Sequence, residues 1–371
     1  MRVFMFLSSS SVTGPAELCL EDAKGLRDAG HEVVFGLDTR RPGNFALAVK
    51  EAGFKVLDEL ALCRQASPVE VARDISRLRK RLDDADLIHC RFAHDHAVVL
   101  GAMLRFPQRP ALVRTAETAR AVRPGWTRGL AFRACQAVIV PCAEYGQRLQ
   151  GYHGVSGTRV HVLRGRVDPG RFSPGDGTRL RNELGVKQNE VLFGVVARIK
   201  PERLHDVLVR AFAKVALELP KARLLVVGRG EHEPALKELT RVLGLKGRVL
   251  FGGYKTGADL VAAYRALDVG VWLAEGNDGT CRGVLEAMAC GVPMIVGDEG
   301  AMKEIVRDGV DGKVVTPRVD EVAQAIKQLT DPNLLRHMPK AARERVFEFT
   351  AEKRRAGLLE IYKGALRDQG R

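Results

Sequence analysis

No stretch of this chain approaches the roughly 18 consecutive apolar residues that a membrane-crossing helix requires. No membrane-crossing helix is expected. The opening run Val3 to Leu7 is too short for the apolar segment of a signal peptide, and the serines and glycine after it read as strand and loop rather than as a cleavage site. A cytoplasmic protein is expected. The cysteines, Cys19, Cys63, Cys90, Cys135, Cys142, Cys281 and Cys290, include no C-x-x-C pair, so the usual signatures of a disulfide framework or a zinc site are missing. Reduced and mostly buried thiols are expected instead. There is no G-x-S-x-G nucleophile elbow for a hydrolase, no internal repeat and no low-complexity tract.

The 371 residues exceed what one hydrophobic core usually serves, about 250 to 300, so two domains are expected. Short aliphatic runs alternate with helix-length segments. The expected strands are Val3–Leu7, Glu32–Leu37, Leu87–Cys90, Leu112–Arg114 and Val138–Val140, then Val191–Ala197, Leu224–Val227, Val249–Phe251, Val269–Leu273 and Met294–Val296. Such alternation predicts an α/β fold of parallel sheets built from right-handed crossovers. The stretch Arg164 to Gly175 is rich in glycine and proline and reads as a linker. The expected division is 1–167, 168–350 and a closing helix within 351–371.

Lysine and arginine number 59 against 45 acidic residues, a formal charge of +14 that favours anionic partners. Nucleic acid, an anionic membrane leaflet and phosphorylated glycans all qualify. Arg73, Arg77, Arg79, Lys80 and Arg81 fall in one predicted helix, followed by Arg105, Arg109, Arg120, Arg123, Arg128 and Arg133, with Trp126 and Phe132 interleaved. Such a surface can rest on a bilayer, each basic residue contributing about 1 kcal/mol near anionic lipid. The alternative is a solvated basic face with the aromatics in the core.

The segment EGNDGTCRGVLEAMACGVPMIV, from Glu275 to Val296, carries the most chemistry. Asp278 stands in a glycine-rich loop, and Glu286 lies eight positions later on a helix patterned by Val284, Leu285, Met288 and Ala289. Free N–H groups and the aligned dipoles at such a helix start favour an anionic or strongly polar ligand. Gly291 suits a left-handed helix cap and Pro293 leads into the next strand. Arg198 and Arg203 follow the strand Val191–Ala197, and two guanidinium groups there can neutralise a pyrophosphate. Gly228 and Gly230 form a Gly-x-Gly turn after another strand, which permits close approach to the backbone. His94, Asp95 and His96 follow the strand Leu87–Cys90. They read as an acceptor-binding loop, or as helix capping by Asp95 with solvated imidazoles. Metal binding lacks further ligands at a recognisable spacing.

The run Leu285-Glu286-Ala287-Met288-Ala289-Cys290-Gly291-Val292-Pro293 resembles the signature of the retaining GT-B glycosyltransferases of the family 4 type, the glycosyl transferases group 1. That family has a carboxylate separated from its glutamate by seven residues; here the position holds Asp278, with Glu275 as the alternative. The resemblance covers nearly the whole chain. It implies two Rossmann-like domains facing a central cleft, with the last helix returning to the first domain. It places Asp278 and the segment Gly279, Thr280, Cys281 and Arg282 at the transferred sugar, Glu286 at the ribose, and Arg198 and Arg203 at the diphosphate. It places Gly228, Gly230 and Tyr254 near the nucleotide, and Gly14 near the donor through a Thr13-Gly14-Pro15-Ala16-Glu17 loop. The family lysine-glycine pair is replaced by Arg203-Leu204, and its usual histidine after the first-domain strand ending at Thr115 corresponds to Glu117.

The expected activity is retaining, metal-independent transfer of a sugar from a nucleoside diphosphate sugar, UDP- or GDP-linked, to a hydroxyl of a glycan or lipid-linked glycan. Lipopolysaccharide or another cell-envelope glycan is the preferred acceptor. The nucleotide sugar serves as co-substrate with no cofactor, no nucleic acid partner is expected, and peripheral contact with the inner face of an anionic membrane is. Two alternatives remain: a sugar-nucleotide epimerase of the same architecture, and a non-catalytic relative that binds anionic polymer.

Overall fold

The computed structural model describes residues 1–104, 106, 109–277 and 281–369. Asp278, Gly279 and Thr280, singled out above, lie outside the described residues, as does Arg105. The chain forms two units, one from Met1–Arg164 with 351–369 and the other from Gly165–Gly276 with 281–350.

The first unit contains β1 (Arg2–Leu7), β2 (Glu32–Leu37), β3 (Lys55–Val56), β4 (Leu87–Cys90), β5 (Ala111–Thr115), β6 (Ala137–Val140) and β7 (Val160–Val162). They form one parallel sheet in the order β3-β2-β1-β4-β5-β6-β7. The central strands are buried almost throughout, and mostly apolar, because crossover helices cover both faces of such a sheet. The closing helix Ala351–Arg367 packs here: Leu358, Ile361, Tyr362 and Ala365 join Val3, Met5, Val113 and Ile139 in one core.

The second unit contains β8 (Val191–Val196), β9 (Ala222–Val227), β10 (Val249–Gly253), β11 (Val269–Trp272), β12 (Met294–Gly297) and β13 (Gly312–Val315). Its parallel order is β10-β9-β8-β11-β12-β13, around a core that includes Phe193, Val226, Val271 and Ile295. Every strand read from sequence is present. The three that were not anticipated, β3, β7 and β13, all lie at sheet edges. Edge strands are short and half solvated, so they carry little apolar signal. Among the described residues no helix is long and apolar enough to cross a membrane.

Each sheet reverses its winding between two neighbours, β1 and β4 in the first unit and β8 and β11 in the second. The chain leaves such a pair toward opposite faces, which opens a crevice at the strands' carboxyl ends where ligands bind.

Candidate functional site

In the second unit, the segments after β8 and β9 are joined backbone to backbone. The Ala197 N–H donates to Val227 O at 3.0 Å and the Ile199 N–H to Arg229 O at 3.1 Å. A Cβ on Gly228 would lie 1.8 Å from Ala197 O, and one on Gly230 would lie 2.1 Å from Ile199 O. The Gly-x-Gly turn is thus required by the neighbouring loop, an account that needs no ligand. Tyr254 is 58% exposed, and the Arg229 guanidinium lies 4.3 Å from its ring centroid.

Beyond that junction the chain makes a 3-10 turn, Pro201–Arg203, and Leu204 then takes a left-handed φ of +58°. The family glycine at this place is absent, yet the backbone keeps the conformation that a glycine serves. Arg203 is directed onto the ring of Trp272, the last residue of β11, at 5.3 Å from the centroid. Burial lowers the Arg203 pKa, and the nearby Arg198 charge lowers it further against the opposing pull of Glu202. Among the described residues neither arginine is ion-paired with a carboxylate.

The helix Cys281–Ala289 runs back along the sheet, and Glu286 on it is buried. The Tyr264 hydroxyl donates to Glu286 Oε2 at 2.9 Å, and Arg282 Nε donates to Oε1 at 2.8 Å, one helical turn away. Burial raises the Glu286 pKa while Arg282 and Tyr264 oppose the shift. A Cβ on Gly283 would lie 3.4 Å from Trp272 Cζ3 and 3.5 Å from Tyr264 Oη. Trp272, Gly283 and Tyr264 thus form a continuous contact joining the Arg203 side to the Glu286 side. Cys281 is buried, Glu275 is half-buried, and Gly291 closes the helix at φ +81° as its position suggested.

In the first unit, Gly14 opens the helix Gly14–Asp28 with Pro15 in its first turn, where proline's missing N–H costs nothing. The helix Ala93–Met103 holds the His94-Asp95-His96 cluster. Asp95 is fully buried and accepts from the Ser8 N–H and the Phe92 N–H, each at 2.9 Å, which ties β1's exit to this helix's first turn. The carboxylate thus serves as a cap. His96 is also buried, 3.4 Å from Cys135 Sγ, and desolvation pulls its pKa down to about 3, so it is neutral. The capping reading thus holds for Asp95 but not with a solvated imidazole at His96. His94 is half-buried and its Nε2 has no hydrogen-bond partner among the described residues.

Glu117 is buried and pairs with Arg91 at 3.2 Å, and Arg91 pairs with Asp22 at 3.0 Å. Asp22 in turn accepts from Arg354 of the closing helix at 2.8 and 3.0 Å. Glu117 therefore belongs to an internal charge network. Phe132 is buried whereas Trp126 is 78% exposed, so one of the two aromatics faces solvent. Arg77 donates to Glu59 O, Arg79 to the last-turn carbonyls Gly101 O and Ala102 O, and Arg81 pairs with Glu59. These arginines are committed within the domain.

The family profile described as Glycosyl transferases group 1 matches residues 176–345, and that described as Glycosyltransferase Family 4 matches residues 12–171. A D-inositol 3-phosphate glycosyltransferase of Nocardia farcinica is 31% identical over 350 residues, 88% of this chain and 76% of the relative. The chain belongs to the group 1 glycosyltransferases of family 4. The relative of the same description from Rhodococcus erythropolis is 32% identical over 237 residues, so the match spans about half of that relative's length, 53%, and 62% of this chain. Among solved structures, a glycosyltransferase from Rickettsia africae superposes with a TM-score of 0.83 at 18% identity, covering 99% of both chains. Anabaena HepE, in complex with UDP and glucose, superposes at 0.78 and 20% identity over 96% of this chain and 98% of its own. At these identities the likeness is one of fold: the GT-B architecture of two Rossmann-like domains.

Three residues of this group 1 glycosyltransferase escaped the sequence reading. Tyr264 and Trp272 are buried positions of a helix and a strand. Trp272's place at a strand's carboxyl end beside a winding reversal was the usable signal. Nothing in the local sequence marks Arg91 as buried.

Proposed function

We propose that this group 1 glycosyltransferase transfers a sugar, with retention, from a nucleoside diphosphate sugar to an acceptor hydroxyl. The carrying observation is the second unit's crevice at β8 and β11: Arg198 and Arg203, neither ion-paired among the described residues, with Arg203 joined through Trp272 and Tyr264 to a buried carboxylate. Two adjacent guanidinium groups repel each other, and a diphosphate relieves that repulsion.

Arg198 and Arg203 neutralise the charge that grows on the leaving diphosphate as the anomeric C–O bond breaks. Glu286 has two bonds from the protein, and its remaining lone pairs accept from ribose hydroxyls. Asp278 and the amides of Gly279, Thr280 and Cys281 hold the sugar. The acceptor oxygen bonds to the anomeric carbon while its proton passes to the departing diphosphate, so charge and atoms balance. On this reading the arginines and the helix start supply the positive charge a metal would otherwise bring. UDP is the first donor to try, because the HepE structure of the same fold holds it. The acceptor is an anionic molecule, consistent with relatives named for inositol 3-phosphate, and a glycan of the cell envelope handled at the inner membrane face fits as well.

The test is release of UDP or GDP from the corresponding sugar nucleotides, with the product's anomeric configuration read by NMR. Arg203→Ala is expected to lower kcat more than it raises the donor KM, since its charge matters chiefly in the transition state. Inversion at the anomeric carbon would remove the retaining mechanism.

A further inference from the structure

The first unit contains a cavity of about 810 Å³ at the carboxyl ends of β4 and β5. Arg64, Arg114, Arg120 and Arg128 line it together with His94 and His96, and no lining residue is acidic. Among the described residues none of these arginines is ion-paired with a carboxylate, in a chain where arginine pairs are common. His96 is neutral, so the positive charge comes from the guanidinium groups. Arg114 is buried and fixed by bonds to Cys90 O and Thr115 O at 3.2 and 2.6 Å. Arg64 is held from one side, with Nε on Ser8 Oγ at 3.1 Å and its guanidinium 4.0 Å from the Phe92 centroid. Its terminal nitrogens make no hydrogen bond among the described residues. Arg120 and Arg128 are exposed.

A second cavity of about 690 Å³ adjoins the first and shares Leu100, Thr127 and Ala131 with it. Its walls are mainly apolar, with Leu100, Met103, Leu104, Trp126 and Leu130, and its polar lining is Arg109, Thr127, Gln136 and Gln369. Leu104, Trp126 and Leu130 are 62, 78 and 53% exposed, a cost in water that a hydrocarbon ligand would relieve. A basic cavity continuous with an apolar groove matches one kind of molecule at both ends.

We infer that the acceptor is an anionic amphiphile, its phosphoryl group held by Arg64, Arg120 and Arg128 and its hydrocarbon chain lying along the groove past Leu104, Trp126 and Leu130. This rests on the transferase reading for the word acceptor, but the binding site stands on unit 1 alone. Guanidinium groups suit a phosphoryl group because they offer paired donors in its own geometry.

The experiment is calorimetry of the full chain with dodecyl phosphate below its micelle concentration, against dodecyl maltoside and glycerol phosphate. Dodecyl phosphate should bind at least about tenfold more tightly than either control, because each control lacks one of the two contacts. Arg120→Ala with Arg128→Ala, and separately Trp126→Ala, should each weaken it by about tenfold or more. UDP affinity, measured on the same samples, should not change, which checks that the variants are folded. Equal binding of glycerol phosphate would overturn the chain groove, and equal binding of dodecyl maltoside would overturn the anion site. Unaltered affinity in the variants would overturn the assignment. Nucleotide binding without amphiphile binding refutes this inference alone, whereas the reverse refutes the transferase reading.

Discussion

Tyr264 and Glu286 are joined by a 2.9 Å hydrogen bond inside the second unit, the hydroxyl donating to a carboxylate that burial would otherwise push toward protonation. The bond orients one oxygen as Arg282 orients the other. Removing it by Tyr264→Phe leaves a buried carboxylate oxygen short of a donor, which costs about 1 to 3 kcal/mol. Denaturant unfolding should register that loss, and UDP affinity should fall with it if Glu286 holds the ribose.

Gly228 and Gly230 should not accept alanine. With the added Cβ under 2.2 Å from Ala197 O and Ile199 O, the segment that carries Arg198 has to move. Gly228→Ala is expected to lose at least about 2 kcal/mol of stability, as over-packed backbone contacts do. Donor binding should weaken more in this variant than in Tyr254→Ala, whose side chain is exposed; equal affinities would show that the 197–199 segment is not part of the donor site.

Leu204 offers a test of backbone strain. It occupies the left-handed region at φ +58° while its side chain packs at the edge of the second core. Both Leu204→Ala and Leu204→Gly lose that packing, but only glycine relieves the strain, worth about 1 to 2 kcal/mol. The glycine variant should therefore be the more stable of the two by about 1 kcal/mol. The opposite order is what an ordinary helical position gives.

Much of this architecture was readable because central parallel strands are apolar on both faces. Val3–Leu7 and Met294–Val296 announce themselves for that reason. The edge strands Lys55–Val56, Val160–Val162 and Gly312–Val315 do not, since half of each faces solvent. Spacing placed Glu286 on a helix and Arg203 just beyond a strand, and both are found there. Trp272 and Tyr264 were not legible, because an aromatic in an apolar run signals core and gives no hint of what its polar atom or ring face meets. Glycine was legible as a position but not as a cause: the turn at Gly228 accommodates Ala197, not only a ligand. Asp95 was read either as part of an acceptor loop or as a helix cap, and its bonds from two backbone amides favour the cap, whereas only three-dimensional contacts reveal that Arg91 engages Glu117.

The network around Asp22 should dominate the stability of the first unit. Burial alone would raise the Asp22 pKa, but Arg354 first and Arg91 next outweigh it and hold the value below the ordinary one. Arg354→Met breaks a buried pair one-sidedly, which costs about 3 to 5 kcal/mol. A urea midpoint that does not move would remove the closing helix from this role.

Acid should destabilise the protein through its buried histidines. Burial holds His205 down to about 4 and His96 down to about 3, against 6.5 for a free imidazole. Below pH 6.5 the unfolded chain takes up protons that the folded chain refuses, so stability falls as pH drops from about 6.5 toward 4 and then 3. The loss is on the order of a few kcal/mol. His96→Gln should make the fall in melting temperature across that range shallower, His205 accounting for the remainder.

The most direct measurement is calorimetry of wild type and Glu286→Gln with UDP, GDP and ADP. The account predicts micromolar binding of one of these nucleotides by the wild type and at least about tenfold weaker binding by the variant, because a ribose hydroxyl then meets an amide where it had a carboxylate acceptor. Equal affinity in both proteins, or no binding of any nucleotide, would contradict it.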